Sequence, residues 1–210
     1  MRTYLLIAGA ALIAASVASA QDVPRVEVFG GYSYGSIRAY VADESLYVPG
    51  TGPDTFPRFG SNGWTGSVAV NATSWFAVVA DVSSLYATPT RTIGVTPVTV
   101  DMHEHNYLFG PRFSAHYGPC TIFAHGLFGE AHASVLVKVP EATPIDIVDT
   151  RLAMLVGAGV DLTVYRRHGQ SKGARRELAL RLGEVDWLRT NFIGNRQNNV
   201  RLSAGLVFRF

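Results

Sequence analysis

The chain has 210 residues, 16% of them charged, and its 18 lysines and arginines against 16 acidic residues leave a net charge of +2. An ordinary soluble domain carries about 25% charged residues, so this surface is unusually apolar, and the near-neutral balance excludes the strongly basic face that nucleic acid requires. The length suits one domain or at most two small ones, and a positive mean hydropathy excludes disorder.

The first element is a leader. Arg2 precedes an apolar run over residues 4–17, which ends in Ala18-Ser19-Ala20, the small-x-small pattern cut by signal peptidase. Residues 1–20 are therefore expected to be removed, with Gln21 as the new N-terminus and 21–210 as one exported domain. No cysteine follows the cut, so this is not a lipoprotein leader. Beyond it no stretch approaches the ~18 apolar residues of a spanning helix. The apolar residues must be distributed in another way.

They alternate. Residues 25–34 place Val26, Val28, Tyr32 and Tyr34 opposite Arg25, Glu27, Gly31 and Ser33. Period two is the signature of a strand with one apolar and one polar face. A polar, Pro- and Gly-rich stretch, 35–61, reads as a loop. Residues 62–70 alternate again, with Trp64, Val68 and Val70 opposite Thr65, Ser67 and Ala69, and 71–74 form a short turn. In the third strand Phe76, Val78, Ala80, Val82 and Tyr86 oppose Asp81 and Ser83. A second loop, 87–101, leads to a fourth strand with Tyr107, Phe109 and Phe113 opposite Asn106, Gly110 and Arg112.

After a turn over 115–119 comes a fifth strand, 120–132, whose register is open, because Phe123 and Leu127 favour one face and Ile122 and Phe128 the other. The loop 133–150 follows. The sixth strand, 151–164, sets Leu152, Met154, Val156, Val160 and Leu162 against Gly157, Gly159 and Asp161. A basic connection, 165–177, joins it to a seventh, where Leu178, Leu180 and Leu182 oppose Ala179 and Arg181. After Gly183 the apolar parity moves to Val185 and Trp187, which marks a bulge. The loop 189–198 precedes the last strand, 199–210, with Val200, Leu202, Ala204, Leu206, Phe208 and Phe210 opposite Arg201, Ser203, Gly205 and Arg209.

Eight strands result, and nearly every short connection falls on one side of the sheet. An even number of antiparallel strands with short turns at one end and long loops at the other predicts an all-β fold, an eight-stranded antiparallel transmembrane β-barrel of up-and-down topology, with loops 35–61, 87–101 and 133–150 facing outward. Closure is needed because an open edge in lipid leaves backbone groups unpaired. A soluble lipocalin-like barrel also has eight strands, but it buries an apolar interior. Here the charges of both signs share the face rich in Gly and Ser, which favours the inside-out arrangement.

At 106–114 (Asn-Tyr-Leu-Phe-Gly-Pro-Arg-Phe-Ser), 178–192 and 198–210 the chain resembles the bacterial outer-membrane β-barrel domain family, the group around the transmembrane domain of outer-membrane protein A and its small relatives. The resemblance covers essentially all of 23–210. Its most specific element is the ending Val-Phe-Arg-Phe, which looks like the C-terminal assembly signal of that family, with Phe208 and Phe210 as its aromatic residues. It implies an outer-membrane, cell-envelope location, surroundings of outer-membrane lipid and lipopolysaccharide, and dependence on the barrel-assembly machinery and periplasmic chaperones. It implies no external ligand. The peptidoglycan-binding domain of larger members has no counterpart here, and the 165–177 connection is unusually long.

Within so narrow a barrel the lumen is barely wider than its own side chains, so interior arginines need carboxylate partners. The expected lumen network comprises Arg25, Glu27, Asp81, Arg112, Glu130, Asp161, Arg181, Arg201 and Arg209. Arg181, Arg201 and Arg112 are expected to pair with Asp161, Asp81 and Glu130, and Glu27 with Arg209. Tyr32, Tyr34, Trp64, Tyr86, Phe208 and Phe210 are expected in the interfacial girdles.

Two constellations invite chemistry. His103 and His105 could offer imidazoles from one strand face, with His125 or His132 as a third metal ligand; the plainer reading is a solvated strand end. Glu130, His132 and Ser134 follow one another at period two, so a lipid A-modifying activity using a histidine, a serine and an acid is an alternative function. A narrow porin-like channel is another. The favoured expectation is a structural or surface-interaction role without catalytic residues, metal or cofactor. Cys120, alone, excludes an internal disulfide and reads as a bystander near a turn.

Overall fold

The computed structural model describes residues 24–38, 58–93, 96–138, 140, 143–168, 175–192 and 195–210. The expected leader and most of the expected 35–61 loop lie outside them. Every regular element among the described residues is a strand: β1 (Val26–Arg38), β2 (Arg58–Asn71), β3 (Phe76–Ala87), β4 (Thr90–Ile93), β5 (Thr96–Tyr117), β6 (Cys120–Lys138), β7 (Ile145–His168), β8 (Arg175–Phe192) and β9 (Asn195–Arg209).

Each barrel strand pairs antiparallel with its neighbours. The order runs β3-β2-β1-β9-β8-β7-β6-β5, and a β3–β5 pairing shuts the ring. Eight strands thus form the wall, while β4 pairs only with the outer part of β5 and extends the β3 arm past Pro89. Glu27 opposes Arg209, and the backbones of Val26 and Phe210 exchange hydrogen bonds of 3.1 and 2.8 Å. The last residue of the chain therefore lies on the seam that closes the barrel.

Alternation places the faces as the period-two pattern requires. Tyr32, Trp64, Tyr86, Tyr107 and Trp187 point outward near one end, and Trp75, Phe113, Tyr117, Tyr165 and Phe208 near the other. Between them the outward face carries Val78, Val82, Phe109, Phe128, Met154, Val156, Leu182 and Leu206. Tyr107 and Tyr117 are ten residues apart on β5, about 25 Å of height for a tilted strand, which matches the hydrocarbon thickness that such barrels span. The open register of the fifth strand is decided by burial: Phe123 and Leu127 face inward, and Ile122 and Phe128 face outward.

The strands outrun the sequence reading at both ends. Much of loop 87–101 belongs to β4 and β5, β6 continues to Lys138, and β7 begins at Ile145 inside the expected loop 133–150. Likewise the 165–177 connection is strand up to His168 and from Arg175, and 189–198 is strand except at 193–194, which lie outside the described residues. The physical reason is composition. Val98, Thr99, Val100, Val135, Val137, Ile145, Ile147 and Val148 are β-branched and suit a pleated surface whether or not lipid covers it. Beyond the membrane they remain paired without alternating strictly.

The short turns, 72–75 and 118–119, share an end with Pro24 and Phe210. At Gly118 φ is +61°, the first position of a tight hairpin turn that glycine enters without steric cost. This end is the periplasmic side of such a barrel, and the long strands rise on the opposite side.

Candidate functional site

The interior of the barrel is where polar chemistry concentrates. Odd positions of β1, β3, β7 and β9 and even positions of the inner half of β5 point inward, and they deliver Glu27, Asp81, Asp161, Arg201 with Arg209, and Arg112 to the axis. On β8 the ladder shifts between Arg181 and Glu184, so that Arg181, Glu184 and Asp186 all face the lumen while Val185 and Trp187 face out. All of these charged groups are buried.

They form one connected network. Near the periplasmic mouth Glu27 accepts from Arg112 Nη2 at 2.7 Å, from Arg209 Nε at 3.1 Å and from Asn71 Nδ2 at 2.9 Å. Arg209 Nη2 continues to Asp161 at 2.8 Å, and Arg181 Nε meets the other oxygen of Asp161 at 2.8 Å. Arg181 also donates to Glu184. Deeper in, Arg201 Nη2 lies 2.8 Å from Asp186 and 3.7 Å from Glu184, while its Nη1 donates to Asp81 at 3.0 Å. Thr65 Oγ1 donates to Asp81 at 3.1 Å, and His125 Nε2 is 2.8 Å from Asp186.

Aromatic rings complete the plug. The Arg181 guanidinium carbon lies 4.0 Å from the centroid of Phe29 and 4.4 Å from that of Phe123, a cation between two π faces. Gly157 leaves the space that the plug fills: a Cβ there would sit 1.8 Å from Asp186 Oδ1 and 2.6 Å from His125 Nε2. The interior is not charged throughout, since Ala69, Val79, Leu108, Leu127, Leu155 and Leu188 form an apolar wall across β2–β8. Among the described residues Ser83 Oγ, Asn106 Oδ1, Thr190 Oγ1 and both amide atoms of Asn199, nearer the outer end, and Arg112 Nε, near the periplasmic mouth, are buried without a hydrogen-bond partner. Groups of that kind call for ordered water beside the ion pairs.

Among the expected network residues the structure brings Arg181 to Asp161, Arg201 to Asp81 and Arg209 to Glu27. Two expectations are corrected. Glu130 does not pair with Arg112: inward Phe123 and Leu127 set the even positions of β6 outward, Glu130 is exposed, and Arg112 binds Glu27 instead. Arg25 stands before β1 and is exposed, outside the lumen. Three participants were missed. Glu184 and Asp186 could have been found, because the parity change after Gly183 that exposes Val185 and Trp187 also turns the residues between them inward. His125 carried no such signal, sitting on the strand of open register.

The histidine constellations separate. His103 and His105 lie on the outward face of β5, Glu104 points into the lumen, and His125 is inside the barrel, so these groups do not share a metal site. His105 Nδ1 is 2.7 Å from Ser84 Oγ, and His132 Nδ1 is 2.7 Å from Thr150 Oγ1. Glu130, His132 and Ser134 share the outward face, and among the described residues no hydrogen bond joins them. His125, Glu184 and Asp186 bring ligand atoms within 4.8 Å of one another. Both carboxylates there are already held by Arg181 and Arg201, and a metal cation would have to displace guanidinium groups.

No protein-family model matches the sequence, and neither does any curated protein. Solved structures match the fold. Ail, the attachment invasion locus protein of Yersinia pestis, solved in complex with the heparin analogue sucrose octasulfate, superposes with a TM-score of 0.56 at 12% identity, covering 89% of this chain and 99% of that one. Neisserial surface protein A gives 0.53 at 12% identity, covering 88% and 97%. The chain thus has the fold of the small outer-membrane β-barrels.

Proposed function

We propose that this chain is an outer-membrane barrel whose work is done outside the cell, by the strand ends and loops that rise above the membrane, while the barrel itself serves as anchor. The observation behind this reading is a mismatch of lengths. β5, β6 and β7 have 22, 19 and 24 residues, whereas about 10 suffice to cross a bilayer, and the lumen beneath them is occupied by ion-paired side chains. Most of that excess lies on the side opposite the short turns, where it builds a surface for contact.

Residues 1–20 act as the export leader in this reading, and Phe208 and Phe210, both outward-facing on the closing strand, act as the assembly signal. The test is expression on cells lacking other adhesive barrels, with and without excision of residues 136–147. Heparin is the first probe, since a heparin analogue was solved with Ail. Binding that disappears on excision, with the barrel still heat-modifiable on gels, supports the reading. A steady conductance from the purified protein in a planar bilayer would overturn it in favour of a narrow pore, and a changed lipid A mass spectrum abolished by His132→Ala would overturn it in favour of an enzyme.

A further inference from the structure

The basic connection between β7 and β8 touches the lumen plug only through Glu177, 3.8 Å from Arg209, and has no part in the outer surface. It is a hairpin at the periplasmic rim, and its two faces differ. On the lumen face Arg166 opposes Glu177 across the strands, with Nε 2.8 Å from the carboxylate. On the outward face the next pair is Arg167 opposite Arg176, and both side chains are exposed. Opposite charges are matched inside and like charges are set directly against each other outside. Directly opposed like charges destabilise a strand pair. Among the described residues neither Arg167 nor Arg176 has an acidic partner.

Position identifies the missing partner. One step toward the membrane from the arginine pair, on the same face, Tyr165 opposes Leu178, and Leu178 in turn opposes Phe208. Tyr165 and Phe208 are exposed members of the periplasmic aromatic belt, which sits at the boundary between hydrocarbon and headgroups. The arginines therefore stand at the depth of lipid phosphates, and two guanidinium forks can each offer paired N–H donors to phosphate oxygens.

We infer that the outward face of this hairpin binds the phosphate of an anionic phospholipid headgroup in the periplasmic leaflet, held between Arg167 and Arg176 with its acyl chains against Tyr165, Leu178 and Phe208. The inference rests on the membrane-spanning placement of the barrel. It concerns the opposite end from the proposed contact surface, so either can fail alone.

Native mass spectrometry of the folded barrel in non-ionic detergent, titrated with phosphatidylglycerol or phosphatidylcholine, tests it. Wild type should retain phosphatidylglycerol in preference, with an affinity that falls as salt rises. The double variant R167Q/R176Q should lose roughly thirtyfold in affinity for that lipid, about fivefold per arginine, while keeping its heat-modifiable mobility; R167Q alone should lose the smaller factor. Equal binding of the two lipids by wild type, or an unchanged affinity in the double variant, overturns the inference. So does inorganic phosphate competing at the lipid's own concentration, which would mean a free-anion site, or loss of binding to peptidoglycan sacculi with lipid binding intact, which would mean a cell-wall contact.

Discussion

In the lumen Arg201 holds Asp186 at 2.8 Å and Asp81 at 3.0 Å with at most 2% of any of these side chains exposed; at the outer rim Arg151 holds Asp149 at 2.9 Å with 52% of the arginine side chain in water. Lys138 and Asp101 form a second rim pair, also half in water on the lysine side. The distances are alike and the energetics are not. In the lumen network each charge has lost its water and depends on the others, so removing one partner strands the rest. At the rim solvent replaces whichever partner is lost. Distance alone therefore does not rank ion pairs; the alternative available to each group when the pair is broken does.

The largest expected effect is at Arg201. Arg201→Met leaves Asp81 and Asp186 facing each other without their shared cation and should lower stability by about 3–5 kcal/mol, read as a shift of the urea midpoint for the barrel refolded into vesicles. The double change R201M/D81N should recover part of that loss. Gly157→Ala comes next: the new methyl collides with Asp186 and His125, for an expected cost of about 1–3 kcal/mol and a looser lumen, detectable as transient conductance that wild type lacks. If Gly157→Ala is neutral, the lumen is less tightly filled than the approach of Asp186 and His125 to Gly157 requires.

Rim substitutions sharpen the comparison from the other side. Arg151→Ala or Lys138→Ala should cost under about 1 kcal/mol, and the difference from wild type should shrink further in high salt, whereas the Arg201→Met deficit should persist. The smallest effect is a pH dependence. The hydrogen bond from Lys138 holds the Asp101 carboxyl below its ordinary value of 3.8. A carboxylate depressed in the folded state contributes stability above its unfolded value and loses it as pH falls through the folded one. The stability gap between wild type and Asp101→Asn should be constant above about pH 4 and close below it.

The lumen also shows what could be read from residues alone. Period-two alternation is a local property, so the inward charges Glu27, Asp81, Arg112, Asp161, Arg181, Arg201 and Arg209 could be found without knowing which strands meet. Partner choice is different. Arg112 and Glu27 are 85 positions apart and come from strands that do not pair, so only closure of the barrel sets them 2.7 Å from each other. Glu130 misled because the β6 segment is apolar on both faces in sequence, and the inward side was settled by packing of Phe123 against the plug and of Leu127 into the apolar wall. The strand ends were misjudged because loops were expected wherever alternation stopped, although backbone pairing continues without it.

The sequence by itself thus determined the architecture: apolar residues at every second position need lipid on one side, polar ones need shelter on the other, and an even set of such strands must close. The tertiary structure alone decided the rest. Strand tilt and register, which no local pattern encodes, choose which buried carboxylate each arginine meets, how far the outer strands rise, and that Arg167 stands against Arg176 at the periplasmic rim.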